Sequence, residues 1–145
     1  MNYQYIGKST PVNNSRAKAS GLLRYAGDMK LPNMLHMKLV LSPVAHGIVK
    51  AIDSSAALAM PGVAAVLSFE NTVDTKYNRG RVRISEDVMD QETLFSRHVR
   101  FVGDRVAAVL ADSPEIAAAA AEAIKLEIEE LPAVFTVKAA MREGA

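Results

Sequence analysis

The chain has 145 residues, 50% of them hydrophobic, with 6% aromatic and neither tryptophan nor cysteine. One domain of this size buries roughly 70% of its unfolded surface, and without thiols there are no disulfides, thiolate metal sites, iron–sulfur ligands or cysteine nucleophiles on this chain. Charge is nearly balanced, with 17 Lys and Arg against 16 Asp and Glu, but residues 1–70 carry 7 against 3 while residues 101–145 carry 4 against 8; these opposed ends favour intramolecular or partner docking over nucleic-acid binding. No stretch approaches the roughly 20 apolar residues of a membrane span, and the polar N-terminus lacks the apolar core of a signal peptide.

In chain order, residues 1–20 are polar and turn-rich and predict an extended arm. Gly21 to Tyr25 predicts a first strand closed by Gly27-Asp28, and Leu31-Pro32-Asn33 a turn. His36 to Leu41 predicts a second strand, with Met37, Leu39 and Leu41 alternating, broken by Ser42-Pro43. Gly47 opens a third strand, Ile48 to Ile52. Asp53 then caps a short helix over 54–60, stopped by Pro61-Gly62, and Val63 to Phe69 predicts a fourth strand.

Residues 70–95 are polar, mixed in charge and weakly patterned, and predict a long surface excursion, the most mobile part of the domain. Val106 to Leu110 is a β-branched apolar run of strand length. Ser113 is a good N-cap, with Pro114 at the favoured first position, and Ala117 to Ala121 sustain a helix over 114–124. From Lys125 the period becomes two, Leu126 and Ile128 facing one way and Lys125, Glu127 and Glu129 the other, until Leu131-Pro132 ends the strand. Residues 48–69 and 106–131 thus repeat a strand–cap–helix–strand order with no fixed residue period. The fold class is α+β, with two alanine-rich helices on mixed strands, spanning 21–140 and followed by a cut linker at 141–145.

No catalytic constellation emerges. His36, His46 and His98 sit in separate segments without metal-ligand spacing, and the expected role of His46 is to orient the Ser42-Pro43 turn through its ring nitrogen. The basic cluster Lys76, Arg79, Arg81 and Arg83 is followed at once by Glu86, Asp87, Asp90 and Glu92, which favours a solvated or partner-facing loop over phosphate binding. Gly103-Asp104 is a turn and not a phosphate-binding glycine motif. Glu129 and Glu130, adjacent on a strand, point to opposite faces and cannot readily share a proton. The expectation is no catalytic, cofactor-binding or metal-binding residue on this chain.

Five blocks in order carry a resemblance: Gly21…Tyr25-Ala26-Gly27-Asp28 with Leu31-Pro32…Met34-Leu35-His36; Ser42-Pro43…Ala45-His46…Ile48; Ile52-Asp53 with Met60-Pro61-Gly62-Val63…Val66-Leu67; Val102-Gly103-Asp104…Val106-Ala107; and Glu129-Glu130-Leu131-Pro132-Ala133. From about Gly7 to Ala140 the chain resembles the start of the molybdenum-binding large subunit of the xanthine dehydrogenase and aldehyde oxidase family. It departs at Lys18-Ala19-Ser20-Gly21, where the family has Lys-Val-Thr-Gly, at Ala45-His46-Gly47, where it has Ala-His-Ala, and at Glu70-Asn71 after the fourth strand.

The resemblance implies an α/β-hammerhead domain, a non-catalytic brace for later molybdopterin-binding domains. It implies a parent that hydroxylates purines such as xanthine and hypoxanthine, or aldehydes, with molybdenum–molybdopterin in the same subunit. Iron–sulfur and FAD centres would lie on other domains or subunits, in the cytoplasm, and neither nucleic acid nor membrane would be a partner. The rival expectation is a free-standing binding module that uses loop 70–95; a reading frame running several hundred residues past Ala145 separates the two.

Overall fold

A computed structural model describes residues 3–9, 12–77 and 92–144. The chain divides into two compact units, Met1–Met34 and Leu35–Ala145. In the first, where an extended arm and a strand are expected, a helical turn α1 (Ser15–Ala19) is followed by a 3-10 turn at Ala26–Asp28. Gly21 takes φ +70° and forms the left-handed C-terminal stop. The Leu22 amide then donates to Ala17 O at 2.9 Å and the Gly21 amide to Lys18 O at 3.2 Å, a Schellman closure. Those bonds turn the backbone back on the helix, so no strand forms over 21–25.

In the second unit the strands are β1 (His36–Leu41), β2 (Gly47–Asp53), β3 (Val63–Ser68), β4 (His98–Val99), β5 (Arg105–Ala111) and β6 (Lys125–Glu130). They form two three-stranded sheets, ordered β1-β5-β3 and β4-β2-β6. Every pairing among these strands is antiparallel. The helices α2 (Ser55–Leu58), α3 (Pro114–Ala123) and α4 (Val137–Ala140) complete the described elements.

β5 is the strand on which the others depend. Val106, Ala107, Ala108 and Val109 are all fully buried. Ala107 and Val109 enter one core with Val40, Val66, Ala57 of α2 and Ala120 of α3. Val106, whose side chain leaves the opposite face, enters a second core with Val49 and Val99. Alanine at 117 and 120 lets α3 lie close on its sheet, because neither residue holds the helix off by more than a methyl group. On β1 the core residue is Val40, while Met37 and Leu41 of the alternating set are exposed, since α3 covers the other face of that edge strand.

The helix starts follow their caps. Ser113 Oγ accepts from the Ile116 amide at 3.2 Å, with Pro114 at the first helical position. Before α2, Asp53 Oδ1 accepts from the Ser55 amide at 3.0 Å and the Ser55 hydroxyl at 2.6 Å. These two bonds, the hydroxyl's first, hold the Asp53 carboxyl below its ordinary range. α2 ends at Leu58, shorter than the expected 54–60; beyond it Gly62 takes φ +87° and its carbonyl accepts from the Asp112 amide at 2.9 Å.

Within 70–95, residues 78–91 lie outside the described residues, as do Arg79, Arg81, Arg83, Glu86, Asp87 and Asp90. The described start is tightly tied. Asn71 Oδ1 accepts from the Ser68 amide at 2.8 Å, its Nδ2 donates to Val66 O at 2.9 Å, and Thr72 Oγ1 donates to Ser68 O at 2.6 Å. At the far end Phe95 is buried.

Two substitutions test this account. Ser113→Ala is expected to lower unfolding free energy by about 1 kcal/mol through the lost cap. Gly62→Ala is expected to cost roughly 1–2 kcal/mol, because alanine at that φ strains the backbone and its Cβ would meet Ile116 Cδ1 at 2.8 Å. Urea denaturation of each variant measures both.

Candidate functional site

Around residues 42–46 and 96–105, Ser42, His46, Ser96, His98, Asp104 and Arg105 all have defined side-chain partners. Asp104 is buried, and its carboxylate accepts from Ser96 Oγ at 3.0 Å, the Arg105 amide at 2.9 Å and the Arg100 amide at 3.2 Å. Its carbonyl accepts from the Ser42 amide at 2.8 Å, while the Gly103 amide donates to Ser42 O at 2.8 Å. Gly103, at φ +91°, supplies the turn that returns the chain to β5. All of these partners belong to the fold itself, so Asp104 is a structural carboxylate.

The Ser42-Pro43 turn is closed by Ser42, whose hydroxyl donates to Val44 O at 2.9 Å and accepts from the Val44 amide at 3.2 Å. The expected role of His46 there is thus taken by a residue within the turn. The His46 ring points elsewhere. Its Nδ1 lies 2.6 Å from Pro132 O and its Nε2 lies 2.8 Å from His98 Nε2. β2 pairs with β4 through Gly47↔Val99 and Ile48↔His98, which places the two histidines diagonally on neighbouring strands. His36 lies on β1 of the other sheet, opposite Ala111.

A carbonyl only accepts, so His46 Nδ1 carries a hydrogen, and the contact between the two Nε2 atoms needs exactly one more. Burial first, then the Arg100 and His46 charges, hold His98 below the ordinary histidine range, and Asp104 opposes them only in part. With both ring nitrogens engaged, His46 has no position left for a hydroxyl nucleophile, so no serine–histidine relay forms on it.

Beside the pair runs a cleft of about 620 Å³ whose walls include Phe101, Val102, Val134 and Phe135. All four are exposed apolar side chains, Phe135 at 81%. A second cleft of about 570 Å³ shares His98, Arg100 and Phe101 with it and reaches Arg105 and Glu92. There Arg105 Nη2 donates to Tyr77 Oη at 2.7 Å, Glu92 Oε2 at 3.3 Å and Thr93 O at 3.4 Å. Tyr77 and Glu92 exchange backbone bonds of 2.8 and 3.0 Å. Arg105 thereby clamps both ends of the 78–91 segment to β5. Of the expected basic cluster, Lys76 alone is described, in the wall of this second cleft.

Glu129 and Glu130 diverge as the alternation requires, and Glu129 pairs with Lys50. Among the described residues no three His, Asp or Glu side chains converge to hold a metal. A pterin pyrophosphate needs close backbone approach, which glycines permit. Here a Cβ at Gly7, Gly21, Gly27, Gly103 or Gly144 would meet nothing within 4 Å, while Gly47 and Gly62 face β6 and α3.

Residues 20–132 match the family described as aldehyde oxidase and xanthine dehydrogenase, a/b hammerhead domain. The chain belongs to that family. The hammerhead domain is 43% identical over 121 residues to the carbon monoxide dehydrogenase large chain of Hydrogenophaga pseudoflava, covering 83% of this chain and 15% of that one. It is 36% identical over 133 residues to the xanthine dehydrogenase molybdenum-binding subunit of Escherichia coli O157:H7, covering 89% and 18%. The crystal structure of quinoline 2-oxidoreductase from Pseudomonas putida 86 superposes with a TM-score of 0.84 at 35% identity, over 96% of this chain and 18% of that one. The hammerhead domain thus spans under a fifth of the length of these relatives and is a domain of the molybdenum hydroxylase family. No helix among its described residues is long and apolar enough to cross a membrane.

Removing the clamp should loosen the loop base without touching the core. Arg105→Ala is expected to cost about 1–2 kcal/mol, the range for hydrogen bonds to a charged donor at a partly exposed site. Amide exchange at Tyr77 and Glu92 should accelerate far more than at Val109, as measured by hydrogen–deuterium exchange.

Proposed function

We propose that this chain is a non-catalytic brace within a molybdenum hydroxylase large subunit, supporting later domains that hold molybdenum–molybdopterin. The observation that carries this reading is the asymmetry of coverage. Relatives match 83–89% of this chain but only 15–18% of their own length, and one of them is named as a molybdenum-binding subunit.

The exposed apolar cleft supports a docking role. Phe101 and Phe135, two of the four phenylalanines, stand in water on its walls. Each forgoes about 1.5–3 kcal/mol of burial by staying exposed, and a contiguous apolar patch with a polar rim marks an interaction surface. On this reading the parent oxidises a purine such as xanthine or hypoxanthine, or an aldehyde, in the cytoplasm. Molybdenum–molybdopterin supplies the oxygen transfer when bound, and iron–sulfur and FAD centres on other domains or subunits take the electrons. The domain's own residues keep the sheet ends rigid and present the apolar walls to the later domains.

The test is to purify the 145-residue chain from cells that make the cofactor, then measure molybdenum content and turnover of xanthine and aldehydes. Molybdenum far below one per chain and no turnover are expected. Near-stoichiometric molybdenum, or turnover by this chain alone, would overturn the proposal.

A further inference from the structure

We propose that His46 and His98 form a proton-controlled latch that holds β4 against the start of β2 and opens when the pair takes up its second proton. The argument rests on counting hydrogens. Pro132 O fixes one hydrogen on His46 Nδ1 at 2.6 Å, and at 2.8 Å the two Nε2 atoms accommodate one hydrogen between them. In the neutral pair His98 Nε2–H donates to His46. After one proton is added the two Nε2 atoms still hold one hydrogen between them, so one ring donates, the other accepts with its own hydrogen on Nδ1, and the contact is kept. A second proton puts N–H groups on both sides and two like charges in contact, and the bond is lost. The latch therefore tolerates one proton and not two, and the two sites titrate as a coupled pair.

The surroundings set where opening falls. Extending the β2–β4 register by one pair sets Arg100 opposite His46, a fixed positive charge beside the pair. Asp104 is the nearest counter-charge, but its carboxylate is already committed to Ser96 Oγ and to the Arg100 and Arg105 amides. From β2 and β6, Lys50 and Glu129 neutralise one another, while Glu130 lies on the opposite face of its strand. His98 is accordingly held below its ordinary value. A depressed folded-state value means the unfolded chain binds the proton first. The stabilisation is complete above about pH 6.5 and is lost as pH falls towards the folded value.

The mechanical consequence is local. β4 is two residues long and is held by Val99 in the core, by its short register with β2 and by the Val49 amide donating to Arg97 O at 2.8 Å. Losing the histidine contact frees the His98 side of β4 and widens the cleft bounded by Phe101, Val102 and Phe135. His46 stays bound to Pro132 throughout, so the exit of β6 does not move with it.

The test is a pH titration of the full 145-residue chain, reading imidazole nitrogens by 1H–15N NMR and amide exchange corrected for its intrinsic pH dependence. The expected result is two coupled steps, His98 titrating last and below 6.5, His46 Nδ1 protonated at every pH, and at least threefold faster corrected exchange of the Val49 amide across the second step. His98→Gln keeps a side-chain donor without the titration and should abolish that acceleration; His46→Gln should move His98 towards its ordinary value. Circular dichroism confirms that each variant is folded before it is scored. Independent titration of the two rings, or Val49 exchange that ignores the second step, would overturn the latch.

Discussion

Strand β5 is buried on both faces, and the rest of the domain is arranged to make that possible. A strand has only two faces, so a central one must satisfy two cores with alternate residues. The sequence Val106-Ala107-Ala108-Val109 does this with small side chains, and none of the four has exposed surface. Small residues on the strand require close neighbours, since gaps lose dispersion contacts and leave cavities. The alanines of α2 and α3 supply that closeness at positions 57, 117 and 120. The 6% aromatic content follows from the same constraint, because thin layers leave little room for rings. Overpacking is the vulnerability of such a core: an added methylene at 107 or 120 has nowhere to go.

The sheet ends carry a different kind of constraint. The Ser42 amide donates to Asp104 O and the Gly103 amide to Ser42 O, backbone bonds that join the end of β1 to the start of β5. Arg105 follows at once and secures Tyr77, Glu92 and Thr93. A run of adjacent residues thus fastens the core strand, the Ser42 turn and both ends of a long excursion. Gly47 contributes by its lack of a side chain. A Cβ there would lie 2.8 Å from both Glu129 O and Ile128 Cγ2, so glycine lets β2 and β6 approach closely.

Much of this fold was legible in the sequence, and the reason is locality. The Ser113 cap, the Pro114 start, the Ala117–Ala121 run and the period-two stretch from Lys125 state their structures within a few residues, and β2, β3, β5, β6, α2 and α3 lie where those signals put them. The misses have physical causes. Glycine after a polar run suits both a Schellman stop and a strand start, and at Gly21 only the bonds back to Ala17 and Lys18 separate them. β4 is too short to show a pattern and exists through pairing with β2. The His46–His98 contact spans 52 residues and depends on a diagonal register that no spacing rule encodes. A histidine next to a strand-opening glycine, and another before Val99, was the only signal available.

The histidine contact and the apolar cleft meet at one place, and the reason lies in how the sheet ends. β6 ends at Glu130, and Pro132 just beyond it has no N–H to donate, so the ladder does not continue, while its carbonyl faces the His46 ring. His46 thereby holds the chain as it leaves the sheet. β4 and β6 are both antiparallel to β2 and so end at the same edge of the sheet, and Val134 and Phe135 line one cleft with Phe101 and Val102. An apolar wall and a polar tie therefore arise together at one edge, where β4 and β6 end on either side of β2. Phe101, Val102, Val134 and Phe135 face water at this edge, whereas Val106 to Val109 of β5 are fully buried. One part of the domain is thus closed on itself, and the other leaves an apolar wall in solvent beside a polar tie.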